Sequence, residues 1–248
     1  MKKSLPLSTQ KIIDHYANLS LGGKKVITPY FMNEKSKKGR RVSVGKGTPE
    51  EIEKETTRFA KKYGFNLQEA TAESIRTFMI QHELGIDCSG FVTWVVNELV
   101  KEKVHQPIWK TLSYRMLSPL AQIKRLLRPV ENTSVRVLTH QANSISIPQM
   151  IDIHIGDMIR IFNGHHILLI TEITYDKKNN PIVLKYVNST MTGQKLYGIL
   201  TGTIQITKPE GSIIEQKWMR HAYGSDWNYK AAKDYCNDTR IVRLKVLM

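Results

Sequence analysis

The first hundred residues place apolar side chains at helical intervals, with capping signals at the ends of the runs. The segment Thr48 to Glu51 matches a capping box with proline at the first helical position, which predicts the start of a helix there. Gly64 predicts the end of this first helix. We predict a second helix from Leu67 to about Glu83, with Gly85 as its stop. A third helix is predicted from Cys88 to about Lys101, because these apolar residues recur with helical spacing: Phe91, Val92, Val95, Val96 and Leu99.

The second half of the chain changes to the alternating pattern of strands. The predicted strands are Met158–Phe162, His166–Ile173, Ile182–Asn188, Thr203–Thr207 and Arg240–Val246. Between the two halves, Ser113 to Leu127 is predicted to be helical with an interruption at Pro119. Helices followed by strands predict an α+β fold with an antiparallel sheet, because an alternating parallel sheet would interleave the two.

A hairpin signal fixes the register of the first two strands. Asn163-Gly164 lies between two apolar runs and predicts a two-residue hairpin, which sets Ile161 opposite His166 and Phe162 opposite His165. Alternation then gives one face with Ile159, Ile161, His166, Leu168 and Ile170, and another with Met158, Arg160, Phe162, His165, Ile167, Leu169 and Thr171. We expect the first face, which is apolar apart from one histidine, to receive the Cys88 helix.

Cys88 is the candidate nucleophile. It opens a predicted helix, whose free N–H groups and partial positive charge would favour a thiolate. Asp87 suits the N-cap position, and Ser89 and Gly90 are small enough to leave room for a substrate beside the sulfur. The alternative is a small buried cysteine that only packs at the start of a helix.

A thiol nucleophile needs an imidazole to take its proton and a third group to orient that imidazole. The expected face favours His166 as this base over His165, which stays open as the alternative. Asn188 closes an otherwise apolar strand face, so its amide oxygen would accept a hydrogen bond from His166. The competing interpretations are a hydrogen-bonded core histidine and an ordinary residue at a strand end.

Composition adds a strong positive charge. The chain has 37 Lys and Arg against 22 Asp and Glu, a formal charge of +15, which suggests an anionic partner such as nucleic acid, a wall polymer or a membrane surface. Much of the excess lies in one Gly- and Ser-containing stretch that we interpret as a solvated loop: Lys35, Lys37, Lys38, Arg40, Arg41 and Lys46. Gly39 to Gly47 does not match a phosphate-binding loop, because its Gly and Lys spacing is wrong.

The two cysteines exclude some classes of protein. Cys88 and Cys236 are too few for a disulfide scaffold and have no zinc-site spacing, so we predict no metal and no cofactor, and we interpret Cys236 as structural. No apolar run is long enough for a membrane span. Lys2 and Lys3 imitate the start of a signal peptide, but Pro6 interrupts the apolar stretch. As written, we expect a protein that is cytoplasmic or reaches a cell wall by another route.

Three segments together resemble the NlpC family of papain-like cysteine peptidases, over about residues 70–207. They are Asp87-Cys88-Ser89-Gly90, Gly156-Asp157 before a strand, and Gly164-His165-His166 at the start of the next strand. The resemblance implies a papain-like fold, in which the helix that begins at the cysteine packs on an antiparallel sheet. It also implies a catalytic triad of Cys88, His166 and Asn188. Candidate substrate contacts are Asp87, Ser89, Gly90 and His165.

The resulting expectation is a cysteine hydrolase that cleaves an amide or peptide bond and, by resemblance, peptidoglycan peptides. We expect one domain, 1–248, with a catalytic core of about 67–207, a helical flank 1–66 and a C-terminal flank 208–248. Two alternatives stay open: an acyltransferase or other amidase on the same fold, and a basic module with an inert thiol that binds nucleic acid or another anion. Scattered basic residues without a known binding motif make nucleic acid the weaker partner.

Overall fold

The structure of the protein is a computed structural model that describes residues 1–32, 41–192, 196–219 and 227–248. The helices among these residues are α1 (Leu7–Ala17), α2 (Pro49–Tyr63), α3 (Ala72–Gln81), α4 (Cys88–Val104), α5 (Ile108–Thr111), α6 (Pro119–Leu127), α7 (Val135–Leu138) and α8 (Trp227–Asp234). The strands are β1 (Lys2–Ser4), β2 (Leu19–Leu21), β3 (Lys24–Val26), β4 (Ser144–Ile147), β5 (Met158–Ile161), β6 (His166–Tyr175), β7 (Pro181–Thr192), β8 (Leu196–Gln205), β9 (Lys217–Trp218) and β10 (Arg240–Leu244). The predicted α+β class is confirmed.

Local capping signals set the ends of the helices. The Thr48 capping box is confirmed, because the Thr48 hydroxyl accepts from the Glu51 N–H and the Glu51 carboxylate accepts from the Thr48 N–H, and Gly64 ends α2 at a φ of +67°. Helix α3 is shorter than predicted, because Thr71 caps it and it begins at Ala72 instead of Leu67. Pro119 begins α6 and does not interrupt a longer helix.

One antiparallel sheet organises the molecule. Its strand order is β4-β10-β5-β6-β7-β8-β9, and β1 pairs with the far end of β6. Strands β7 and β8 extend beyond their predicted ranges and pair over ten residue positions. Strands β2 and β3 form a separate two-stranded hairpin.

Both faces of the sheet are covered, so side chains of alternating parity enter two different cores. One core joins α4 to side chains that include Met158, Ile167 and Leu169. The other joins Ala231 and Ala232 of α8 to the opposite side chains, which include Ile159, Ile161, Leu168, Ile170 and Tyr186. The predicted grouping into two faces is therefore confirmed for these residues.

The face assigned to the cysteine helix was wrong. Helix α4 packs on the face of Ile167 and Leu169, whereas the face of Ile161, His166 and Leu168 lies under the C-terminal segment. The physical reason is that both faces are apolar because both are buried, so the polarity of one strand pair did not distinguish them.

Both flanks of the predicted core contribute to the sheet. From the N-terminal flank, β1 pairs with β6, and the Tyr16 ring of α1 packs edge-on against Phe91 with 5.4 Å between ring centroids. From the C-terminal flank, β10 lies between β4 and β5. The N-terminal flank is thus not purely helical, and the segment 67–207 lacks one of the central strands of the sheet.

Candidate functional site

Cys88 lies where the start of α4 meets the start of β6. The Asp87 carboxylate caps the helix by accepting from the Gly90 N–H, which confirms the predicted N-cap. The Cys88 side chain is buried, and its thiol donates to the His165 carbonyl oxygen across 3.7 Å. The sulfur therefore rests against the main chain that leads into β6.

The electrostatics of this position differ from the thiolate that the helix terminus predicted. Burial is the main influence and, with the nearby Asp87 carboxylate, raises the pKa of the Cys88 thiol to about 12. The Lys46 ammonium and the backbone N–H groups of Ile167 and Ser89 act in the opposite direction but do not outweigh burial. The thiol is consequently protonated near neutral pH, and a neighbouring base would have to take its proton as the sulfur attacks.

His165 shares a cleft with Cys88. The cleft has a volume of about 870 Å³, and its lining includes Cys88, Asp87, Ser89, Lys46 and the exposed His165. Within the described residues, the His165 ring has no side-chain hydrogen-bond partner, so a group that orients this imidazole is not identified.

The hairpin turn that carries His165 has the predicted centre. Asn163 and Gly164 adopt φ values of +53° and +75°, as in a type I′ turn, and the His165 N–H donates to the Phe162 carbonyl oxygen across 2.9 Å. Ile161 pairs with His166, as predicted. Phe162 also has a positive φ of +53°, which turns its ring away from the predicted face and towards Trp227 and Tyr235.

His166 and Asn188 meet each other, but on the side of the sheet opposite to Cys88. Asn188 Nδ2 lies 2.8 Å from His166 Nε2 and also donates to Asn228 Oδ1 across 3.3 Å. The Trp227 ring packs edge-on against the His166 ring with 5.5 Å between centroids. Burial lowers the pKa of His166 to about 4, so its imidazole is neutral at pH 7. This geometry matches the competing interpretation of a hydrogen-bonded core histidine.

The three residues of the expected triad are therefore not brought together. The structure pairs His166 with Asn188 and places Cys88 beside His165, because successive residues of β6 point to opposite faces. A direct proton transfer from Cys88 to His166 would have to cross the sheet. Of the two histidines left open by the sequence, His165 is the one in the cleft.

Lys46 is a feature of the site that the sequence interpretation missed. Its ammonium group is buried and donates to Asp87 Oδ1 across 3.0 Å, to the Thr133 carbonyl oxygen across 3.2 Å and to the Ser89 hydroxyl. The solvated-loop interpretation was wrong for this residue, while Lys35, Lys37, Lys38 and Arg40 lie outside the described residues. The available signal was glycine on either side of a lysine, which is typical of close backbone approach.

Ser89 and Gly90, the small residues after Cys88, both contact the Lys46 loop. A Cβ atom on Gly90 would lie 2.5 Å from the Gly45 carbonyl oxygen, so this glycine lets the Lys46 loop approach α4. Gly90 does not line the cleft, which counts against its prediction as a substrate contact. Asp87 and Ser89 do line the cleft, but their side chains are already hydrogen-bonded to Lys46.

Arginine side chains form a positively charged wall of the cleft. Arg160 and Arg240 both bind the Asp238 carboxylate, with N–O distances of 2.8 and 3.3 Å, and Arg136 contributes an exposed side chain. The Arg160 guanidinium lies over Gly164, where a Cβ atom would approach it within 2.3 Å. These arginines could not be grouped from the sequence, because they come from three separate elements, α7, β5 and β10.

Cys236 lies apart from this site. It is free and exposed in the segment that follows α8, so it does not pack in the core. Among the described residues, no three His, Cys, Asp or Glu side chains are arranged to hold a metal ion. No helix in the described part of the chain combines the length and the apolar character that crossing a membrane requires.

Comparison of the chain with protein-family models, with curated proteins and with solved structures finds no match. The cleft around Cys88 and the motif that contains this cysteine are therefore the basis for assigning a function.

Proposed function

We propose that this protein is a cysteine hydrolase of amide or peptide bonds, with Cys88 as nucleophile and His165 as general base. The observation that carries the proposal is that both residues line one cleft, where the N-terminus of α4 meets the start of β6. The resemblance to the NlpC family implies a cysteine at a helix start beside a histidine at a strand start, and it assigned that histidine to His166; we propose the preceding residue, His165, in its place.

The chemistry follows from a thiol that is neutral at rest. His165 takes the proton from the Cys88 thiol as the sulfur attacks the substrate carbonyl carbon and forms a C–S bond. The imidazolium then gives this proton to the leaving amine as the C–N bond breaks, which leaves a thioester on Cys88. Water attacks the thioester, His165 accepts one water proton, and that proton returns to the departing thiolate.

The start of α4 supplies the stabilisation of negative charge. A helix N-terminus presents backbone N–H groups that lack helical acceptors, and Cys88 is the first residue of the helix. We assign the Cys88 N–H to the developing oxyanion. The Asp87 carboxylate, which caps the Gly90 N–H, keeps this end of the helix fixed.

The charge of the cleft favours an acidic substrate. Arg136, Arg160 and Arg240 line the cleft, and Asp238 neutralises only part of their combined charge. Cell-wall peptides carry free carboxylates, and the resemblance implies a bond at or near γ-D-glutamyl residues. We therefore propose a peptidoglycan peptide as the substrate, and a guanidinium of this wall as the partner of its carboxylate.

The test is cleavage of purified muropeptides, followed by mass spectrometry of the products. We expect the intact protein and Cys236→Ala to release the same fragments, and Cys88→Ala to release none. Adding a primary amine separates the two enzyme classes, because an acyltransferase gives the amine adduct in place of the free acid. Either product supports Cys88 as nucleophile, whereas turnover that persists in Cys88→Ala would overturn the proposal.

A further inference from the structure

Helix α6 is oriented with its apolar side outward. Four aliphatic side chains form what we call the α6 apolar face: Leu120, Ile123, Leu126 and Leu127, which are 62%, 62%, 72% and 85% exposed. The opposite side of the helix, with Gln122 and Arg125, lies against the protein. A surface helix normally turns its apolar stripe to the core. An apolar stripe that faces solvent is typical of a surface that binds a partner.

Specific polar contacts hold the helix in this orientation. The Arg125 guanidinium lies over the Tyr114 ring, 4.5 Å from its centroid, and Gln122 Nε2 donates to the Leu117 carbonyl oxygen across 3.0 Å. The Ser118 hydroxyl caps the helix by accepting from the Ala121 N–H. The exposed face is thus fixed by contacts on the other side of the helix.

The stretch of chain that contains the α6 apolar face carries charge of one sign. Residues 103–130 contain six Lys and Arg and no Asp or Glu. Arg115 and Lys124 are exposed, and neither has an acidic partner within 4 Å in the described part of the chain. Aliphatic side chains flanked by unpaired cations are the composition of helices that lie in the interface of an anionic membrane.

We propose that α6 docks on an anionic lipid surface, with the α6 apolar face inserted between lipids and with Arg115 and Lys124 against the headgroup phosphates. A second copy of the chain fits the observations less well. The four side chains offer only a few hundred Å² and project from a convex helix, whereas a stable protein interface takes ~800 Å² per partner with matched shapes. A lipid surface needs no matching shape.

The docked helix would lie next to the cleft. The Tyr114 hydroxyl is 2.9 Å from Thr133 Oγ1, and Arg128 pairs with Glu131 across 3.2 Å, so both ends of the α6 segment connect to residues that line the cleft. Membrane docking would bring the cleft close to the lipid surface. The inference does not depend on the proposed hydrolase, since it uses none of the catalytic residues.

The test is co-sedimentation of the full chain with vesicles of phosphatidylcholine, alone or mixed with phosphatidylglycerol. The α6 variant carries Leu120→Gln, Ile123→Gln and Leu127→Gln. Its matched control carries the same change at three exposed residues elsewhere, namely Leu7→Gln, Ile80→Gln and Ile182→Gln. We expect the intact protein and the control to bind the mixed vesicles, and the α6 variant to bind at least ~10-fold more weakly.

Charge gives a second readout. Arg115→Gln with Lys124→Gln should weaken binding to the mixed vesicles by ~10-fold and reduce its dependence on salt. Circular dichroism checks that each variant is folded. The proposal is overturned if the intact protein does not sediment, or if the folded α6 variant sediments like the control. It is also overturned if the intact protein is a dimer that the α6 variant converts to monomer without any lipid binding.

Discussion

Cys88 experiences opposing influences that can be separated by measurement. The N-terminus of α4 and the Lys46 ammonium favour the thiolate, while burial and Asp87 favour the thiol, and the balance raises the pKa of Cys88 to about 12. A protonated resting thiol fits a mechanism in which His165 removes the proton when substrate is bound. It does not fit a preformed thiolate–imidazolium pair.

The raised pKa of Cys88 predicts a loss of stability at alkaline pH. Between the ordinary thiol pKa of 9.0 and about 12, the unfolded chain releases the Cys88 proton while the folded chain keeps it, so the free energy of unfolding falls as pH rises. Cys88→Ala should remove up to about 1.4 kcal/mol of this loss per pH unit. Urea unfolding at pH 8 and pH ~10.5 measures the difference, with Cys236→Ala as the control that keeps the full slope.

The lowered pKa of His166 predicts a loss of stability at acid pH. Its folded-state pKa of about 4 lies below the ordinary value of 6.5, so its contribution is complete above pH 6.5 and is lost as pH falls towards 4. The loss amounts to about 3 kcal/mol at pH 4, which His166→Gln should abolish. Urea unfolding between pH 7 and pH ~4 measures it. The exposed His165→Gln serves as control, and equal acid slopes for both variants would contradict the placement of His166.

At the scale of elements, one buried ion pair holds together three segments around the site. Lys46 connects its own loop to Asp87 and Ser89 at the start of α4 and to the Thr133 carbonyl oxygen ahead of α7. Both charged side chains of the pair are at most one tenth exposed. Removing one partner of such a pair leaves the other charge buried, which is more costly than removing an exposed pair.

Lys46→Met should therefore lower the free energy of unfolding by about 3–5 kcal/mol. The matched control is Lys101→Met, because Lys101 pairs with Glu98 in the same helix but is about half exposed, and its loss should cost less than about 1 kcal/mol. Chemical denaturation measures both. Equal small effects would show that the Lys46 ammonium is solvated in solution.

The elements that the sequence predicted well are those whose ends depend on local chemistry. The Thr48 capping box, the Asp87 N-cap and the Asn163-Gly164 turn each use groups within a few residues, and each is present. The packing partner of α4 depends on which sheet face it covers. That choice is non-local. The face with Arg160, His165 and Thr171 looked the more polar in sequence, yet both faces are buried, so polarity indicated the wrong face for α4.

At the scale of the whole molecule, the sheet is completed by segments from both ends of the chain. Strand β10 lies between β4 and β5, and β1 extends the sheet at β6. The sequence interpretation predicted β10 as a strand but assigned it to a flank, and it did not predict β1. The sequence of a short strand does not identify strands that are remote in sequence as its neighbours.

This topology predicts that residues 67–207 do not fold alone. Without β10, strands β4 and β5 lose a shared partner, and Val242 and Leu244 leave the core that contains α4. We expect the isolated segment to show no cooperative thermal transition by circular dichroism, whereas the full chain shows one. A cooperative transition in the segment would contradict an essential role for the flanks.

The site as a whole was predictable only in part. The motif around Cys88 and the two adjacent histidines predicted residues that lie together, since Cys88 and His165 line one cleft. The choice of His166 and Asn188 followed from the wrong face of the sheet. The arginine wall of the cleft could not be predicted from the sequence, because the pairing of β5 with β10 is what brings Arg160 next to Arg240.

The central proposal is that His165, and not His166, is the general base that takes the proton from the Cys88 thiol. The most direct measurement is the burst of p-nitrophenolate released when a p-nitrophenyl ester acylates Cys88 at pH 7, in the Cys236→Ala background. We expect His165→Ala to slow the burst by at least ~100-fold and folded His166→Gln to leave it within a few fold of the parent. The opposite order, with His165→Ala unaffected and folded His166→Gln inactive, would contradict the account.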